Sequence, residues 1–252
     1  PEAITTSVGF RPVIAVAVTR DGTTAAAAED GVVHVWDAGA RPAPVARDVL
    51  ANELVLSPDG RYLVWASRRR TTDAGIGLLD LTDRARRSTL VGCSSRPVFA
   101  AAAPRFACHR FTDGAIVVWD TTTWTAVGVG LAGAPQVDSL AISPDGRHVA
   151  AGQMTFDFAL RWWDVAADRA TLLETKRGNQ WGVVFRDGAA SLVSINGGRS
   201  VIAWQPAQGR SASLGVEAAA MRRLGGGTRL VATGAEDGTI GIWDLEGRRV
   251  RR

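Results

Sequence analysis

The chain has 252 residues, 46% of them hydrophobic, and its 29 Lys and Arg against 25 Asp and Glu give a formal charge of +4. This content supports a large core, and no apolar run reaches the roughly 18 residues that a membrane helix needs. A charge of +4 on this length is too small to indicate a nucleic-acid partner by itself.

Cys93 and Cys108 are the only cysteines. Two cysteines make neither a disulfide framework nor a paired metal-ligand motif, so we expect no metal site. We expect both thiols to be reduced, which favours a cytoplasmic protein. Because the chain begins at Pro1, we expect a module of a longer protein, and the absence of a signal peptide carries no information.

A turn followed by an apolar run that ends in Trp-Asp recurs along the chain. The clear copies are Glu29–Asp37, Thr112–Asp120, Phe156–Asp164 and Glu236–Asp244, and weaker copies end at Leu79-Asp80 and Trp204-Gln205. The intervals between positions 36, 79, 119, 163, 204 and 243 are 43, 40, 44, 41 and 39 residues. A strand-rich repeat of this period predicts an all-β fold, a β-propeller of four-stranded antiparallel blades.

Each repeat is predicted to hold short strands separated by turns. Ser-Pro-Asp-Gly turns, or related sequences, stand at Ser57–Gly60, Ser143–Gly146, Thr19–Gly22, Phe185–Gly188 and Gly225–Gly227. Proline presets φ for such a turn and glycine supplies a positive φ. The apolar runs that flank these turns are Val13–Val18, Leu54–Leu56, Leu63–Ala66, Leu140–Ile142, Val149–Ala151 and Leu230–Thr233. We predict one domain over residues 1–252, with blades that end near residues 37, 80, 120, 164, 205 and 244.

An aspartate stands six residues before each Trp-equivalent position, except that Gly198 takes this place in the fifth repeat. The aspartates are Asp30, Asp73, Asp113, Asp157 and Asp237. At a fixed place in a hairpin, an aspartate can bond its own backbone two residues further on and hold the turn. We therefore predict that these residues are structural and not catalytic. The same role is predicted for Trp36, Trp119, Trp163, Trp204 and Trp243.

These motifs resemble the tryptophan-aspartate (WD) repeat propellers. The matching residues are Trp36-Asp37, Trp119-Asp120, Trp163-Asp164 and Trp243-Asp244, with the preceding aspartates and the Ser-Pro-Asp-Gly turns. The resemblance covers essentially the whole chain. The family's Gly-His dipeptide is absent, so its network of Trp, Ser or Thr, Asp and His side chains can be only partial. Thr233, Asp237 and Trp243 come nearest to it.

The sequence leaves the number of blades open. Ala3–Phe10 reads like the outer strand Pro44–Leu50 and could complete the last of six blades, leaving no open sheet edge. The alternative is a seventh blade outside this chain, because Arg248–Arg252 would compete for the same place. We favour six blades.

No motif in the sequence indicates an enzyme or a cofactor. Gly128–Gly133 satisfies G-x-G-x-x-G, but Pro135 and a further strand follow where a dinucleotide site needs a helix. His34 lies between two valines, and the adjacent Cys108 and His109 would face opposite sides of a strand. An enzyme with a site at the channel mouth, built from residues distant in sequence, is a less favoured alternative.

The resemblance implies a protein or peptide partner, bound on the face formed by the outer-to-inner loops and the loops between second and third strands. The candidate residues in these loops are Glu29, Asn52, Arg69, Arg70, Asp138, Phe156, Trp181 and Glu236. Trp181 is of the type found at binding hot spots, although packing between blades would explain it equally well. Arg69 and Arg70 add positive charge that suits carboxylates or phosphates.

The alternative function is the binding of an anionic ligand or nucleic acid through Arg68–Arg70 and the C-terminal arginines. The basic residues are divided among three places and form no continuous stripe, which argues against nucleic acid. We expect no membrane partner, and the oligomeric state is not predicted.

Overall fold

A computed structural model of the chain describes residues 13–19, 22, 24–29, 31–37, 41, 43–47, 49, 51–66, 75–83, 87–133, 135–153, 159–174, 180–186, 191–216, 221–226, 230–244 and 249–251. Over these ranges the chain forms 24 strands and one short 3₁₀ turn, Pro206–Gln208. The strands group into six sheets of four, and they lie in chain order within each sheet. The all-β class and the four-stranded blades predicted from the repeat are confirmed.

The strands have the following bounds. The first sheet contains β1 (Val13–Val18), β2 (Thr24–Glu29), β3 (Val32–Asp37) and β4 (Ala43–Ala46). The second contains β5 (Glu53–Leu56), β6 (Tyr62–Ala66), β7 (Ile76–Asp80) and β8 (Arg87–Leu90). The third contains β9 (Ser95–Phe99), β10 (Arg105–Arg110), β11 (Ala115–Asp120) and β12 (Thr125–Leu131). The fourth contains β13 (Ser139–Ile142), β14 (His148–Gly152), β15 (Leu160–Asp164) and β16 (Arg169–Glu174). The fifth contains β17 (Gln180–Phe185), β18 (Leu192–Asn196), β19 (Ser200–Gln205) and β20 (Arg210–Val216). The sixth contains β21 (Met221–Gly226), β22 (Leu230–Ala235), β23 (Ile240–Asp244) and β24 (Arg249–Arg251).

The chain divides into two compact units. The first is Pro1–Phe99 with Cys108–Thr112, and the second is Ala100–Ala107 with Asp113–Arg252. The division falls within β10, and the fourth, fifth and sixth sheets all belong to the second unit.

Neighbouring sheets of the second unit bury apolar side chains against each other. One cluster joins the fourth and fifth sheets through Leu160, Trp162, Leu192 and Trp204, among others. A second joins the fifth and sixth sheets through Val193, Ile195, Val201, Met221, Val231 and Trp243. β18 is buried at all five of its positions, because its two faces belong to different clusters. Val193 and Ile195 make one face apolar, whereas Leu192 shares the other face with the buried polar residues Ser194 and Asn196. The fifth sheet is therefore covered by both of its neighbours.

The predicted Ser-Pro-Asp-Gly turns share one hydrogen-bond pattern. In the second sheet Ser57 Oγ donates to Asp59 Oδ1 at 2.5 Å and accepts the Tyr62 N–H at 2.8 Å. Ser143 makes the equivalent bonds in the fourth sheet, at 2.5 and 2.9 Å. The glycine that closes each turn has a φ of +71°, which favours glycine over other residues. The turn sequence therefore fixes how the first strand of a blade meets the second.

The second repeat has Leu79 where most repeats have tryptophan, and Trp65 supplies the missing bulk from the neighbouring strand. Leu79 pairs with Leu63, and Trp65 follows two residues later on the same face of β6. Leu79 and Trp65 belong to the same buried cluster. Opposite Trp65 stands Gly77, where any Cβ atom would collide with the indole ring. The weak copy of the motif is thus compensated within its own sheet.

The first turn of the sixth sheet is not where the sequence predicted it. Gly225 and Gly226, expected in that turn, belong to β21 and pair with Ala232 and Val231. Glycine adopts extended and turn conformations with similar ease. A run of three glycines therefore does not mark the residue at which the chain turns.

The outer strand of the sixth sheet also differs from the prediction. We expected Ala3–Phe10 in this place, but β24 occupies it, with Arg249 paired to Trp243. Ala3–Phe10 itself lies outside the described residues. A short connection from β23 brings β24 alongside, which carries a smaller loop-closure entropy than a segment from the far end of the chain.

The prediction of two reduced thiols is wrong, because Cys93 and Cys108 form a disulfide. Their Cα atoms lie 5.6 Å apart, within the usual range for this bond, and both residues are buried. The Ser94 N–H donates to the His109 carbonyl oxygen at 2.8 Å, which aligns the two segments beside the bridge. A single cysteine pair has no pattern of spacing, so the sequence could not distinguish paired from free thiols.

The disulfide closes a separation of 15 residues, for which chain entropy predicts a stabilisation of about 3 kcal/mol. We expect urea unfolding to show a loss of about that size on reduction, and the Cys93→Ser, Cys108→Ser double variant to be insensitive to reductant. Thiol titration of the unreduced, denatured protein should find no free thiol. Two free thiols in that titration would contradict the disulfide.

Candidate functional site

Each sheet has two ends with different connections. At the loop end the first strand begins and the second and third strands are joined; the other two connections within the sheet lie at the turn end. In the second unit, backbone hydrogen bonds join successive sheets at their loop ends. The Gln180 N–H donates to the Gln153 carbonyl at 3.2 Å, and the Met221 N–H donates to the Gly198 carbonyl at 2.5 Å. The starts of β17 and β21 are thereby tied to the hairpins of the preceding sheets.

Three amide side chains are buried at this loop end. Gln153 follows β14, Gln180 begins β17 and Asn196 ends β18, with exposed fractions of 1, 0 and 3%. Gln180 and Asn196 are ladder partners. The Arg161 guanidinium donates to Gln153 Oε1, and Ser139 Oγ donates to the Gln180 carbonyl at 3.3 Å. These three residues form a buried polar layer at the loop end, and each primary amide in it carries both donors and an acceptor.

The side-chain amide of Asn196 has donors and an acceptor that no described residue uses. Within the part of the chain that the structure describes, its buried Oδ1 and Nδ2 make no hydrogen bond. Buried polar groups are nearly always bonded, and each one left unsatisfied costs about 1–3 kcal/mol. Gly197 and Gly198 follow with φ of +60° and +75°, which explains why glycine replaces the hairpin aspartate in this repeat. The Asn196 amide therefore lies beside a hairpin whose sequence has glycine where the other repeats have aspartate.

The structure places three of the predicted binding residues at loop ends of the second unit. Asp138 is half-buried just before β13, and its N–H donates to the Gly152 carbonyl at 2.9 Å. Trp181 is half-buried and packs against the cluster that contains Met221. Glu236 is exposed in the hairpin of the sixth sheet. The packing of Trp181 agrees with its interpretation as a residue held between blades.

The other predicted binding residues are not brought into this group. Asn52 is half-buried in the first unit, where its N–H donates to the Ala66 carbonyl at 2.9 Å. Glu29 ends β2, and its side chain is outside the described part of the structure. Arg69, Arg70 and Phe156 lie outside the described residues altogether.

Two hairpin aspartates lie in the described ranges. Asp113 Oδ1 accepts the Ala115 N–H at 3.1 Å, and Asp237 Oδ1 accepts the Thr239 N–H at 2.9 Å. Both bonds reach two residues forward, as in an Asx turn. The remaining three, Asp30, Asp73 and Asp157, are outside the described residues.

The tryptophans that end the third strands differ in burial. Trp163, Trp204 and Trp243 are buried, whereas Trp36 and Trp119 are half-buried. Two of the buried indoles donate to a hydroxyl ten residues earlier on the neighbouring strand: Trp204 Nε1 to Ser194 Oγ at 2.9 Å and Trp243 Nε1 to Thr233 Oγ1 at 3.1 Å. These bonds form part of the side-chain network that the resemblance implies.

The carboxylates at the turn ends are held by hydrogen bonds. The hydroxyl of Thr122 donates to Asp120 at 2.5 Å and its N–H at 2.9 Å, and Arg105 forms an ion pair with the same carboxylate. These donors, with the Thr122 hydroxyl first, lower the pKa of Asp120 to about 2. A carboxylate held ionised by its own turn is poorly suited to general acid catalysis at neutral pH.

Neither a metal site nor a membrane span is found in the described ranges. They contain no group of three or more His, Cys, Asp or Glu side chains placed to hold a metal ion. Nor do they contain a helix with the length and apolar character to cross a bilayer.

Sequence reasoning missed the buried amides and one ion pair. In the first unit, Glu53 accepts both the Arg96 N–H at 2.8 Å and its guanidinium at 2.7 Å, where Arg96 has a φ of +56°. Gln153, Gln180 and Asn196 carry no recognisable motif. Their positions at strand ends, one after β14, one at the start of β17 and one at the end of β18, were the available signal.

Within the described residues, six four-stranded antiparallel sheets in chain order define the class as a β-propeller repeat protein. The family model for the WD domain, G-beta repeat, matches residues 4–37, 130–164 and 224–244. These three matches support the WD-repeat family that the motifs predicted. No curated protein matches the chain. Repeats of this family generally mediate protein–protein interactions, and its propellers are typically non-catalytic.

The depressed pKa of Asp120 predicts a pH-dependent contribution to stability. Its folded pKa of about 2 lies below the unfolded value of about 3.9. The ionised carboxylate therefore stabilises the fold above about pH 4, and this contribution is lost as the pH falls towards 2. In urea unfolding between pH 2 and 6, the difference between native protein and Asp120→Asn should shrink with falling pH. Thr122→Val should show an intermediate slope, and a difference that does not change with pH would contradict the assignment.

Proposed function

We propose that the chain is a non-catalytic scaffold that binds a protein or peptide partner at the loop ends of its fourth, fifth and sixth blades. The observation that carries the proposal is the Asn196 amide, buried at the loop end with its donor and acceptor unused by the described residues. Its family supports the general role, since WD repeats commonly mediate protein interactions.

The chemistry of this loop end suits an extended peptide. A peptide group presents one N–H and one C=O, and a side-chain amide can meet both at once. The Gln153 and Gln180 amides lie at the same end of the adjoining strands. Asp138 and Glu236 place carboxylates at the loop ends of the flanking sheets. We therefore expect a segment with an exposed backbone and basic side chains.

The partially buried Trp181 supports the floor of this site. It packs against the buried cluster that joins the fifth and sixth sheets. We expect Trp181 to position the Asn196 hairpin and to contribute to partner contact with one edge of its ring. Tryptophan in such a place buries a large area with little loss of side-chain entropy.

The argument from the cysteines for a cytoplasmic protein no longer holds. We expected it from two reduced thiols, but Cys93 and Cys108 are paired. Disulfides persist chiefly in oxidising compartments, so we propose that the partner is met in such an environment.

The test uses replacement of Asn196 by leucine, which has the same branched heavy-atom skeleton but no polar side-chain atom. Because the amide is unsatisfied in the free protein, Asn196→Leu should unfold at the same or higher urea concentration than the native chain. Peptides selected from a random phage-displayed library on the native chain should bind this variant at least tenfold more weakly. Gln208→Leu, an exposed amide at the turn end of the same sheet, is the matched control and should bind like the native chain.

Two outcomes would overturn the proposal. One is a library that yields no enriched sequence on the native chain. The other is a set of selected peptides that bind the native chain and Asn196→Leu with equal affinity, which would make Asn196 a structural residue and move the site elsewhere.

A further inference from the structure

A cavity of about 500 Å³ lies at the turn end of the fifth sheet, at the opposite end from Asn196. Its polar lining includes Arg186, Ser191, Arg210, Ser211 and Ser213. No carboxylate is among the described residues that line it. The volume falls within the range of about 300–1,000 Å³ typical of small-molecule sites.

The antiparallel order of the sheet brings the two arginines to the same end. Arg186 directly follows β17, and Arg210 is the first residue of β20. The Arg186 N–H donates to the Ser191 carbonyl at 3.0 Å, which closes the first of the two connections. The second closes through the 3₁₀ turn and Gly209, whose φ is +61°. Both arginines are thus placed by short connections.

The fifth repeat departs from the Trp-Asp motif at the cavity itself. Gln205 stands where the motif has aspartate, and it pairs with Arg210. In the fourth sheet the corresponding pair is Asp164 and Arg169. The pKa of Asp164 is lowered chiefly by the hydrogen bond from the Ala167 N–H, and the charge of Arg169 contributes a smaller part. The change from Asp to Gln leaves the start of β20 without that carboxylate and makes the cavity more positive.

We infer that this cavity binds a small phosphate monoester. A monoester carries a charge of about −1.5 to −2 at pH 7 and three acceptor oxygens. The Arg210 guanidinium meets part of that charge and can pair with phosphate through two parallel hydrogen bonds, and Arg186 also lines the cavity. The serine hydroxyls supply further donors. Trp204 and Leu214 add apolar surface to the lining, so the organic part of the ester has a place to pack.

The experiment titrates the full chain with phenyl phosphate by calorimetry, at low and at moderate salt. Arg210→Gln removes one charge at an exposed position, and Gln205→Asp restores the motif carboxylate beside it. Each should weaken binding at least tenfold, and neither should lower the melting temperature. Arg169→Gln, the equivalent of Arg210 in the fourth sheet, is the matched control and should change the affinity less than about twofold.

Two further ligands distinguish a small phosphate monoester from inorganic phosphate and from a phosphorylated peptide. Inorganic phosphate should bind more weakly than phenyl phosphate, because it leaves the apolar lining uncovered. A short peptide containing phosphoserine should also bind more weakly, since the cavity is sized for a small molecule.

The inference is overturned if phenyl phosphate does not bind at millimolar concentration, or if Arg169→Gln weakens binding as much as Arg210→Gln. Equal affinity for inorganic phosphate would show an adventitious ion only. Tighter binding of the phosphoserine peptide would replace the small molecule with a phosphorylated segment. The cavity and the Asn196 site lie at opposite ends of the sheet, so a negative result for one proposal does not affect the other.

Discussion

Burial of apolar sheet faces against neighbouring sheets is the constraint on which the rest of this structure depends. The fifth sheet shows it most fully, since β18 contributes Leu192 to one cluster and Val193 to the other. A four-stranded sheet with two apolar faces is not stable alone in water. It must lie between two others, so the repeats fold as an array. The hydrogen bonds from Gln180 and Met221 to the preceding hairpins then keep neighbouring sheets in register.

This constraint leaves the ends of the sheets free to vary. Both proposed sites lie in the fifth repeat, which departs from the family pattern at each end. At the loop end Gly198 replaces the hairpin aspartate beside Asn196, and at the turn end Gln205 replaces the motif aspartate beside Arg210. This repeat also lies outside the three regions that the family model matches. Where the aspartate that holds a turn is replaced, the neighbouring polar side chain is no longer needed for that turn and can bind a ligand. We interpret the replacements at Gly198 and Gln205 in this way.

The sequence predicted most of the fold because its signals are local and repeated. The apolar run Val13–Val18 has the same bounds as strand β1. The turns at Ser57 and Ser143 depend on hydrogen bonds between residues that are at most five positions apart. Pairing between Cys93 and Cys108 depends on a long-range approach that one cysteine pair cannot reveal. The amide layer was missed for a similar reason, because Gln153 and Gln180 meet only when two sheets are in place. Gly225 and Gly226 were misplaced because glycine carries no preference for turn over strand.

Native-state hydrogen exchange at the Gln180 and Met221 amides tests most directly whether neighbouring blades are coupled. These two N–H groups cross from one sheet to the hairpin of the preceding one. If burial of both faces joins the sheets, these amides should exchange only through global unfolding, as slowly as the Val193 amide in the centre of β18. Exchange at loop-like rates, with β18 still protected, would show blades that fold independently and would contradict this account.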